Sequence, residues 1–517
     1  MKSPNKYFIG IDIGTSGTKA LLIDSIGNIV LTSYEEYLTS NLKPQWSEQD
    51  PEDWWNATVI CLSRLMKDSD ISAENVFGIG LTGQMHGLVI LDVNKKVLRP
   101  CIMWNDQRTA NECKEMNERI GTAKLISITG NKVLTGFTAP KLLWVKKNEP
   151  EIYDKVRHVL LPKDYIRFRL TGEIGIDVSD ASGTSLFNVK ERKWSNEIID
   201  LMNIDKKWLP DVFESQEVVA KVNKEAGELI GLEAGIPVVA GAGDQAAGGI
   251  GTGTIKNGVT SIVLGTSGVV FSCTDKYTYD TYGRVHSFCH AVNNSWHVMG
   301  VTLSAAGSLK WFKENVFHFE TKNYEINNHN LYEVITNKAS EIKPGSNGLI
   351  FLPYLTGERT PYPDPNAKGT FTGLTVKHNI NHFSRSILEG VGYSLKDCFI
   401  LHEAIGVRTD KVRISGGGAK SKLWQQIIAN ILNKEIVSLS TVDTAPFGAA
   451  LLAAVGTNHF SDISEACSVS IKELETVIPN YNDTLIYKDY YEVYKSLYES
   501  LKSAFTDITN IENKLYS

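Results

Sequence analysis

The stretch YFIGIDIGTSGTKALLID, residues 7–24, decides the fold. An apolar run, Tyr7–Ile13, leads into four small residues, Gly14–Gly17, and a second apolar run follows. This order predicts a strand, a tight turn and a second strand. A similar unit, SIVLGTSGVVF, recurs at residues 261–271. Because the tetrapeptide Gly-Thr-Ser-Gly follows an apolar strand in both halves, we predict two domains of related architecture, 1–254 and 255–517.

Strands and helices alternate along the rest of the chain, which predicts the α/β class with helices covering sheets. Short apolar runs predict strands at Val76–Thr82, Leu88–Asp92, Val156–Leu161, Pro237–Ala240, Gly348–Leu352 and Lys411–Ser415. Longer stretches predict helices at Trp54–Met66, Ala139–Lys147, Phe383–His402, Ser421–Leu432 and Ala445–Val455. Near the C-terminus, a spacing of three or four residues predicts one face of an amphipathic helix, formed by Tyr490, Tyr494, Leu497, Leu501 and Phe505.

The composition is typical of a globular protein that acts on a small molecule. The 517 residues carry a net charge of -6, which argues against a non-specific nucleic-acid binder and a basic membrane surface. The seven cysteines include no Cys-x-x-Cys pair, which suits a reducing compartment. No segment resembles a signal peptide or is long and apolar enough to cross a bilayer. We therefore expect a cytoplasmic protein with no nucleic-acid or membrane partner; a homodimer is left open.

The first Gly-Thr-Ser-Gly turn, Gly14–Gly17, offers main-chain amides and two hydroxyl groups to an anion, and phosphate is the natural ligand. Asp12 precedes this turn by two residues and would direct a carboxylate toward the same place, where Mg²⁺ bound to phosphate oxygens and water needs one. A simple hairpin turn with a solvated Asp12 is the alternative. The second turn, Gly265–Gly268, favours the phosphate interpretation, although Val263 replaces the aspartate there.

Asp244 lies at the end of a glycine-rich turn, where neighbours without side chains leave its carboxylate accessible to a ligand, as a general base requires. A helix N-cap is the alternative role, since Asp before Gln245 and two alanines caps well. The surrounding segment, Gly241–Ala246, also matches the dinucleotide fingerprint. No acidic residue follows about 20 positions later to hold a ribose, so NAD binding is disfavoured.

Three polar clusters could contact a sugar or a nucleoside. Gly83–Gly87 places Gln84 and His86 on a loop bracketed by glycines, although a histidine satisfied by local backbone is the alternative. Trp104–Arg108 combines an aromatic face, an acid and a fork-shaped donor, which suits a sugar, but a helix start with a buried Trp explains it equally well. The glycine run Ser415–Ala419 could lie against a base or ribose. The histidines at 286, 290 and 297 are expected to be core or surface residues, and no structural metal is expected.

Together these pieces resemble the FGGY family of carbohydrate kinases, within the actin-like ATPases, over essentially the whole chain. Two extended patterns of that family stand in this sequence, at Gly136–Val145 and from Gly369 to Glu389. Within the family the similarity is greatest to the bacterial members that phosphorylate D-xylulose, through segments such as Trp46–Pro51, Gly83–Gly87 and Leu355–Pro361. The resemblance implies two actin-like (ribonuclease H-like) domains flanking a deep cleft, with the sugar on residues 1–254 and ATP mainly on 255–517.

The family motifs carry roles over to single residues. Met85 and His86 would contact the ketose, with Asp106 and Gln245 in the same pocket, and Asp244 would be the catalytic base. Asp12 would orient Mg²⁺, through water, and influence turnover. ATP would be bound through its phosphates by Thr15, Ser16, Lys19, Gly265 and Thr266, and near its nucleoside by Gly307, Gly417 and Gly418.

The resemblance implies ATP-dependent phosphorylation of D-xylulose to D-xylulose 5-phosphate. One departure affects the substrate: the D-xylulose kinases usually have Asn after the catalytic Asp, whereas this chain has Gln245, as the glycerol kinases do. A sister kinase for another pentulose or a polyol is the first alternative. A non-catalytic sugar sensor is the second, and the presence of both Asp12 and Asp244 speaks against it.

Overall fold

The computed structural model describes residues 6–317 and 330–516, and these form two compact units. The chain first passes from one unit to the other after Lys256, two residues beyond the predicted boundary. Two later stretches, 273–297 and 443–471, belong to the first unit although they follow that boundary. The units therefore differ in these stretches from the continuous domains 1–254 and 255–517 that the sequence predicted.

The first unit is built on a sheet whose central strand is Tyr7–Ile13. This strand pairs antiparallel with Gly17–Asp24 and parallel with Val76–Gly83. The order across the sheet is Val218–Lys221, Pro237–Val239, Val76–Gly83, Tyr7–Ile13, Gly17–Asp24 and Ile29–Glu36, and Ala242–Gly243 also pairs with Val76–Gly83. The parallel register sets Asp12 opposite Thr82 and Gly243 opposite Gly83, so the loops after these strands emerge at one edge of the sheet.

The second unit repeats this arrangement. Its central strand, Gly258–Leu264, pairs antiparallel with Gly268–Thr274 and parallel with Thr409–Ser415. The order across six strands is Trp296–Thr302, Gly268–Thr274, Gly258–Leu264, Thr409–Ser415, Ile436–Leu439 and Glu473–Val477. The two strand–turn–strand segments thus occupy equivalent places in two sheets of the same order, as the repeated tetrapeptide predicted.

Glycines allow a helix to lie unusually close to the first sheet. A Cβ at Gly10 on the central strand would lie 1.8 Å from a main-chain oxygen of the helix Thr444–Gly456, and one at Gly80 on the neighbouring strand would lie 1.9 Å from another. The same helix contacts the helix Asp244–Gly251, where a Cβ at Gly251 would lie 1.9 Å from the carbonyl oxygen of Thr444. Only glycine fits at these positions, and their close contacts hold both helices near the strand that carries Asp12.

The remaining helices of the described residues cover the sheets or connect them. They are Pro51–Asp68, Ala110–Ile120, Thr122–Thr129, Thr138–Asn148, Pro150–Tyr153, Pro162–Thr171, Val178–Ala181, Asn196–Leu201, Lys224–Ile230, Ala306–Asn315, Leu331–Ser340, Ile380–Ala404, Lys422–Leu432, Ile463–Ser470 and Tyr481–Tyr516. Short 3₁₀ turns lie at Ala73–Asn75, Ser182–Thr184, Lys206–Trp208, Ser346–Gly348 and Gly417–Lys420. Short strands lie at Glu48–Gln49, Val89–Leu91, Cys101–Ile102, His158–Leu160, Ile176–Asp177, Phe187–Asn188, Lys193–Trp194, Val212–Phe213, His286–Cys289, Ile350–Leu352 and Thr370–Thr372.

Each predicted strand and helix exists, and the differences are at the ends. The strand predicted from Gly348 begins only at Ile350, because Gly348 has a φ of +98° that ends a turn instead of extending a strand. In the helix Tyr481–Tyr516 the predicted face points inward, since Tyr494 and Phe505 are buried in the core of the second unit. The seven cysteines all lie within the described residues, where they are buried and form no disulfide bond, and the histidines at 286, 290 and 297 are buried as well.

Candidate active site

The turn after the first strand is held by side chains of the first unit. The amide of Gly14 donates to the carbonyl of Gly17, which closes the turn. The hydroxyl of Thr15 accepts a hydrogen bond from the indole of Trp104 and donates to the amide oxygen of Gln84. The amide group of Gln84 donates in turn to the carbonyl of Gly14. The hydroxyl of Thr15 is thus engaged within the protein, whereas Ser16 is exposed at the tip of the turn.

Three carboxylates gather next to this turn. Burial raises the pKa of Asp12 to about 7, Asp244 and Asp443 add to the shift and Lys19 opposes it. The ammonium of Lys19 forms an ion pair of 2.5 Å with Asp443. The buried Oδ1 of Asp12 has no hydrogen-bond partner within residues 6–317 and 330–516. A negative site with an unsatisfied carboxylate oxygen and one cation suits a ligand that brings positive charge of its own.

Asp244 is the first residue of the helix Asp244–Gly251, and Gly243 is the N-cap. The alternative that Asp244 itself caps the helix is therefore wrong by one position: Gly243 has the extended ψ of 151° that a cap adopts. Burial raises the pKa of Asp244 to about 6, and hydrogen bonds from Gln245 lower it in part. A carboxylate with such a pKa is suited to accept a proton near neutral pH.

Met85 packs beside the segment that leads into Asp244, and His86 follows Met85 in the chain. A Cβ at Gly243 would lie 2.9 Å from the side chain of Met85, so Met85 packs directly on the residue before Asp244. His86 has a left-handed φ of 69°, and its ring stacks on Phe137 with 4.3 Å between centroids. Its Nδ1 lies 2.7 Å from the carbonyl oxygen of Gly183. The predicted sugar-contacting loop is therefore in a defined conformation beside the predicted base.

A buried lysine stabilises the loop that contains Met85 and His86. The ammonium of Lys141 donates to the carbonyl oxygen of His86 at 2.8 Å, and the hydroxyl of Thr138 donates to the same oxygen at 3.1 Å. Burial lowers the pKa of Lys141 to about 7. These two donors stabilise a main-chain conformation that a histidine rarely adopts.

Asp106 is fully buried and its carboxylate is occupied by neighbours. It accepts hydrogen bonds from the amide of Ser47 and from the guanidinium of Arg108. Arg108 stacks on Trp46, with 3.6 Å from its central carbon to the ring centroid. The contacts of Asp106 hold this loop in place, and its contact with the sugar stays a prediction. Gln245 follows Asp244 in the first helical turn and is partly exposed.

One cavity of the second unit, of about 460 Å³, is lined by five of the residues predicted for ATP. These are Gly265, Thr266, Gly307, Gly417 and Gly418. Tyr332 and Trp424 line the same cavity and add two aromatic side chains to it. The other three residues predicted for ATP, Thr15, Ser16 and Lys19, belong to the first unit.

The glycines of this cavity fit their places for different reasons. A Cβ at Gly307 would lie 2.8 Å from the carbonyl oxygen of Thr266, and one at Gly418 would lie 3.0 Å from Trp424. Gly417 faces open space instead. The amide of Gly307 donates to the carbonyl of Thr266, so the two segments are fastened to each other. The cavity is therefore bounded by bare backbone on one side, where a flat ring or a phosphate can approach closely.

A buried glutamate binds the segment that leads into the helix containing Gly307. Glu358 accepts hydrogen bonds from the hydroxyl of Thr302 at 2.8 Å and from the amide of Leu303 at 3.0 Å, immediately before the helix Ala306–Asn315. Burial raises the pKa of Glu358 to about 7, and these donors oppose the shift. The sequence alone assigned no role to Glu358, because these partners are 56 and 55 positions away.

The residues that sequence reasoning missed share one property: their partners are remote in the chain. Asp443, the partner of Lys19, is 424 positions away from it, and Lys141 is 55 positions away from His86. The sequence did contain one indication for Lys141: it is a charged residue followed directly by the apolar Leu142 and Leu143, inside a segment that is buried. Asp443 likewise stands immediately before the apolar helix Thr444–Gly456.

Two features are absent from the part of the chain that the structure describes. In the ranges 6–317 and 330–516, no group of three or more His, Cys, Asp or Glu side chains is arranged to hold a metal ion. Over the same ranges, no helix is both long and apolar enough to cross a membrane.

Comparison with known proteins identifies the family. The N-terminal domain model of the FGGY carbohydrate kinases matches residues 7–251, and the C-terminal domain model matches residues 260–457. A xylulose kinase of Bacillus subtilis (strain 168) is 39% identical over 501 residues, which cover 97% of this chain and 98% of the relative. A xylulose kinase of Escherichia coli (strain K12) is 40% identical over 459 residues, covering 89% and 92%.

Solved structures agree with this result. The ligand-bound xylulose kinase of Lactobacillus acidophilus superposes with a TM-score of 0.89 at 26% identity, over 97% of this chain and all of the other. The predicted α/β fold with two actin-like domains and the predicted family are both confirmed. Because the two domain models together span most of the sequence, this chain belongs to the FGGY family of carbohydrate kinases, which are ATP-using sugar phosphotransferases.

Proposed function

We propose that this chain transfers the γ-phosphoryl group of ATP to the 5-hydroxyl of D-xylulose. The observation that carries the proposal is the position of Asp244: it is the first residue of a helix, Met85 packs on the preceding Gly243, and burial raises the pKa of Asp244 to about 6. The similarity to xylulose kinases at 39% and 40% identity supports D-xylulose as the sugar. The first unit would bind the sugar and the second the nucleotide.

Asp244 is proposed to accept the proton of the 5-hydroxyl as that oxygen attacks the γ-phosphorus in line. Phosphoryl transfer depends mainly on positioning and on electrostatic stabilisation of the phosphate oxygens. Met85 and His86 would orient the ketose, and the turn at Ser16 would offer main-chain amides to a phosphate. The ATP site would be lined by the residues that share one cavity, Gly265, Thr266, Gly307, Gly417 and Gly418.

Asp12 fits a role toward Mg²⁺. Its buried Oδ1 has no protein partner in the described part of the chain, and a carboxylate oxygen is a ligand that Mg²⁺ or its bound water prefers. Mg²⁺ bound with ATP would neutralise charge on the phosphate oxygens. The ion pair of Lys19 with Asp443 keeps a cation at the same site, where it can contribute to binding a phosphate.

The test measures ADP release with Mg-ATP and a panel of D-xylulose, D-ribulose, L-ribulose, L-xylulose and glycerol. We expect D-xylulose to be preferred, and Asp244→Asn to lower kcat by about 10² to 10⁴-fold while the sugar still binds. Asp211→Asn, which changes an exposed carboxylate of the same unit, is the matched control. Normal turnover of Asp244→Asn would overturn the proposed base. Preference for another sugar would overturn D-xylulose as the substrate but not the phosphoryl transfer, and it would attribute the different specificity to the pocket that contains Gln245.

A further inference from the structure

A cluster of buried charged side chains contacts the segment that precedes Asp244. Three carboxylates and two cations are completely buried: Lys163, Asp164, Arg167, Asp177 and Asp180. Ion pairs connect them, with Lys163 at 2.6 Å from Asp164, 2.9 Å from Asp177 and 3.1 Å from Asp180. A buried cluster of this kind costs much desolvation energy, so it is weak evidence for a gain in stability.

Two contacts of this cluster lead to the segment before Asp244. The guanidinium of Arg167 donates to the carbonyl oxygen of Ala240 at 2.7 Å. The amide of Gly243 donates to the hydroxyl oxygen of Ser179 at 3.0 Å, and that hydroxyl donates to Asp177 at 2.5 Å. The cluster thus reaches the residue immediately before Asp244 through one serine.

The direction of these bonds is determined by chemistry. A serine hydroxyl has one hydrogen, and the Asp177 carboxylate accepts it. The lone pairs of the Ser179 oxygen are then directed away from Asp177, and one accepts the amide of Gly243. Lys163 binds the other oxygen of the same carboxylate and holds it in place. Each group in this chain of hydrogen bonds therefore has only one possible role.

Gly243 has little freedom on its other sides. It lies opposite Gly83 in the parallel pairing, and the side chain of Met85 fills the space where a Cβ would be. We propose that Ser179, held by Asp177, is a positioning residue that fixes Gly243 and thereby the orientation of the Asp244 carboxylate. This inference rests on the proposed function, because it takes Asp244 as the catalytic base.

Ser179 and Ser215 form a matched pair for the test. Both hydroxyls are buried and donate to the same oxygen of Asp177, at 2.5 and 3.0 Å, but only Ser179 accepts the amide of Gly243. We expect Ser179→Ala to lower kcat by about 10- to 100-fold, since a misplacement near 1 Å can have this effect. The KM values for D-xylulose and ATP should stay within about threefold of wild type, because the binding contacts are kept. Ser215→Ala should keep kcat within about threefold of wild type.

The assay measures kcat and both KM values at a temperature below the Tm of every variant, with Asp244→Asn in parallel. Equal kcat values for Ser179→Ala and Ser215→Ala, with Asp244→Asn inactive, would overturn the positioning role alone. An active Asp244→Asn would overturn the proposed function and this inference with it. If Ser179→Ala does not fold, Ser179→Cys takes its place: its sulfur is a weaker acceptor, so an intermediate kcat is expected and an unchanged kcat would count against the proposal.

Discussion

The close contact between two helices of the first unit leads to a sharp prediction for Gly251→Ala. A Cβ at this position would lie 1.9 Å from the carbonyl oxygen of Thr444, and real Cβ contacts below 3.0 Å are essentially never seen. The two helices must therefore move apart at this contact by at least 1.1 Å, the difference between these two distances. Overpacking of this kind costs about 1 to 3 kcal/mol. Because Asp244 begins the same helix, the movement should also lower kcat by about 100-fold.

Gly248→Ala is the matched control, on the same helix and facing the same neighbour. Its Cβ would meet only the hydroxyl of Thr444, at 3.6 Å, which is an ordinary contact. Alanine stabilises a helix relative to glycine, so this variant should gain about 0.5 to 1 kcal/mol and keep its turnover. Thermal unfolding and kcat with D-xylulose are measured for both variants. Wild-type Tm and kcat for Gly251→Ala, or equal losses in the two variants, would refute the reasoning.

Two further predictions concern buried basic side chains. Lys141→Met removes the ammonium group that donates to the His86 carbonyl, so kcat/KM for D-xylulose should fall by about 10- to 100-fold. Lys146→Met, on the same helix, is the control and should have little effect. Equal kcat/KM values for the two variants would contradict the role of Lys141. His402 is buried against Ser272, and burial lowers its pKa to about 3, well below the value near 6.5 of an unfolded histidine. Between pH 3 and pH 6.5 only the unfolded state binds the proton. The contribution of His402 to the free energy of unfolding is therefore complete above pH 6.5 and is lost as the pH falls, by about 2 kcal/mol between pH 7 and 5. His402→Asn should make the Tm less dependent on pH over this interval; an unchanged slope would show that His402 does not titrate as described.

Much of the candidate site was predictable because its signals are local. The turn at Gly14–Gly17 and its repeat at Gly265–Gly268 are short glycine-containing segments after apolar strands, and such turns are determined by neighbouring residues. Asp12 and Asp244 could be predicted as site residues because they adjoin such turns. The N-cap was misplaced by one residue, since helix ends depend on ψ at a single position that sequence reasoning does not resolve.

The supporting groups could not be predicted in the same way. Ser179 and its partner Gly243 are 64 positions apart, and Lys19 and Asp443 are 424 positions apart. No local pattern encodes such pairs, because they form only when the sheet and its covering helices have packed.

The sequence by itself determined the class, the two related halves and the turns that adjoin Asp12 and Asp244, because strand periodicity and glycine turns are properties of neighbouring residues. Only the tertiary structure decided which side chains hold those residues in place. The tight contacts at Gly10, Gly80 and Gly251 decide how closely two helices approach the first sheet, and that approach brings Asp443 to the two other carboxylates. Packing between distant segments, unlike a turn, depends on the shapes of surfaces that exist only in the folded chain.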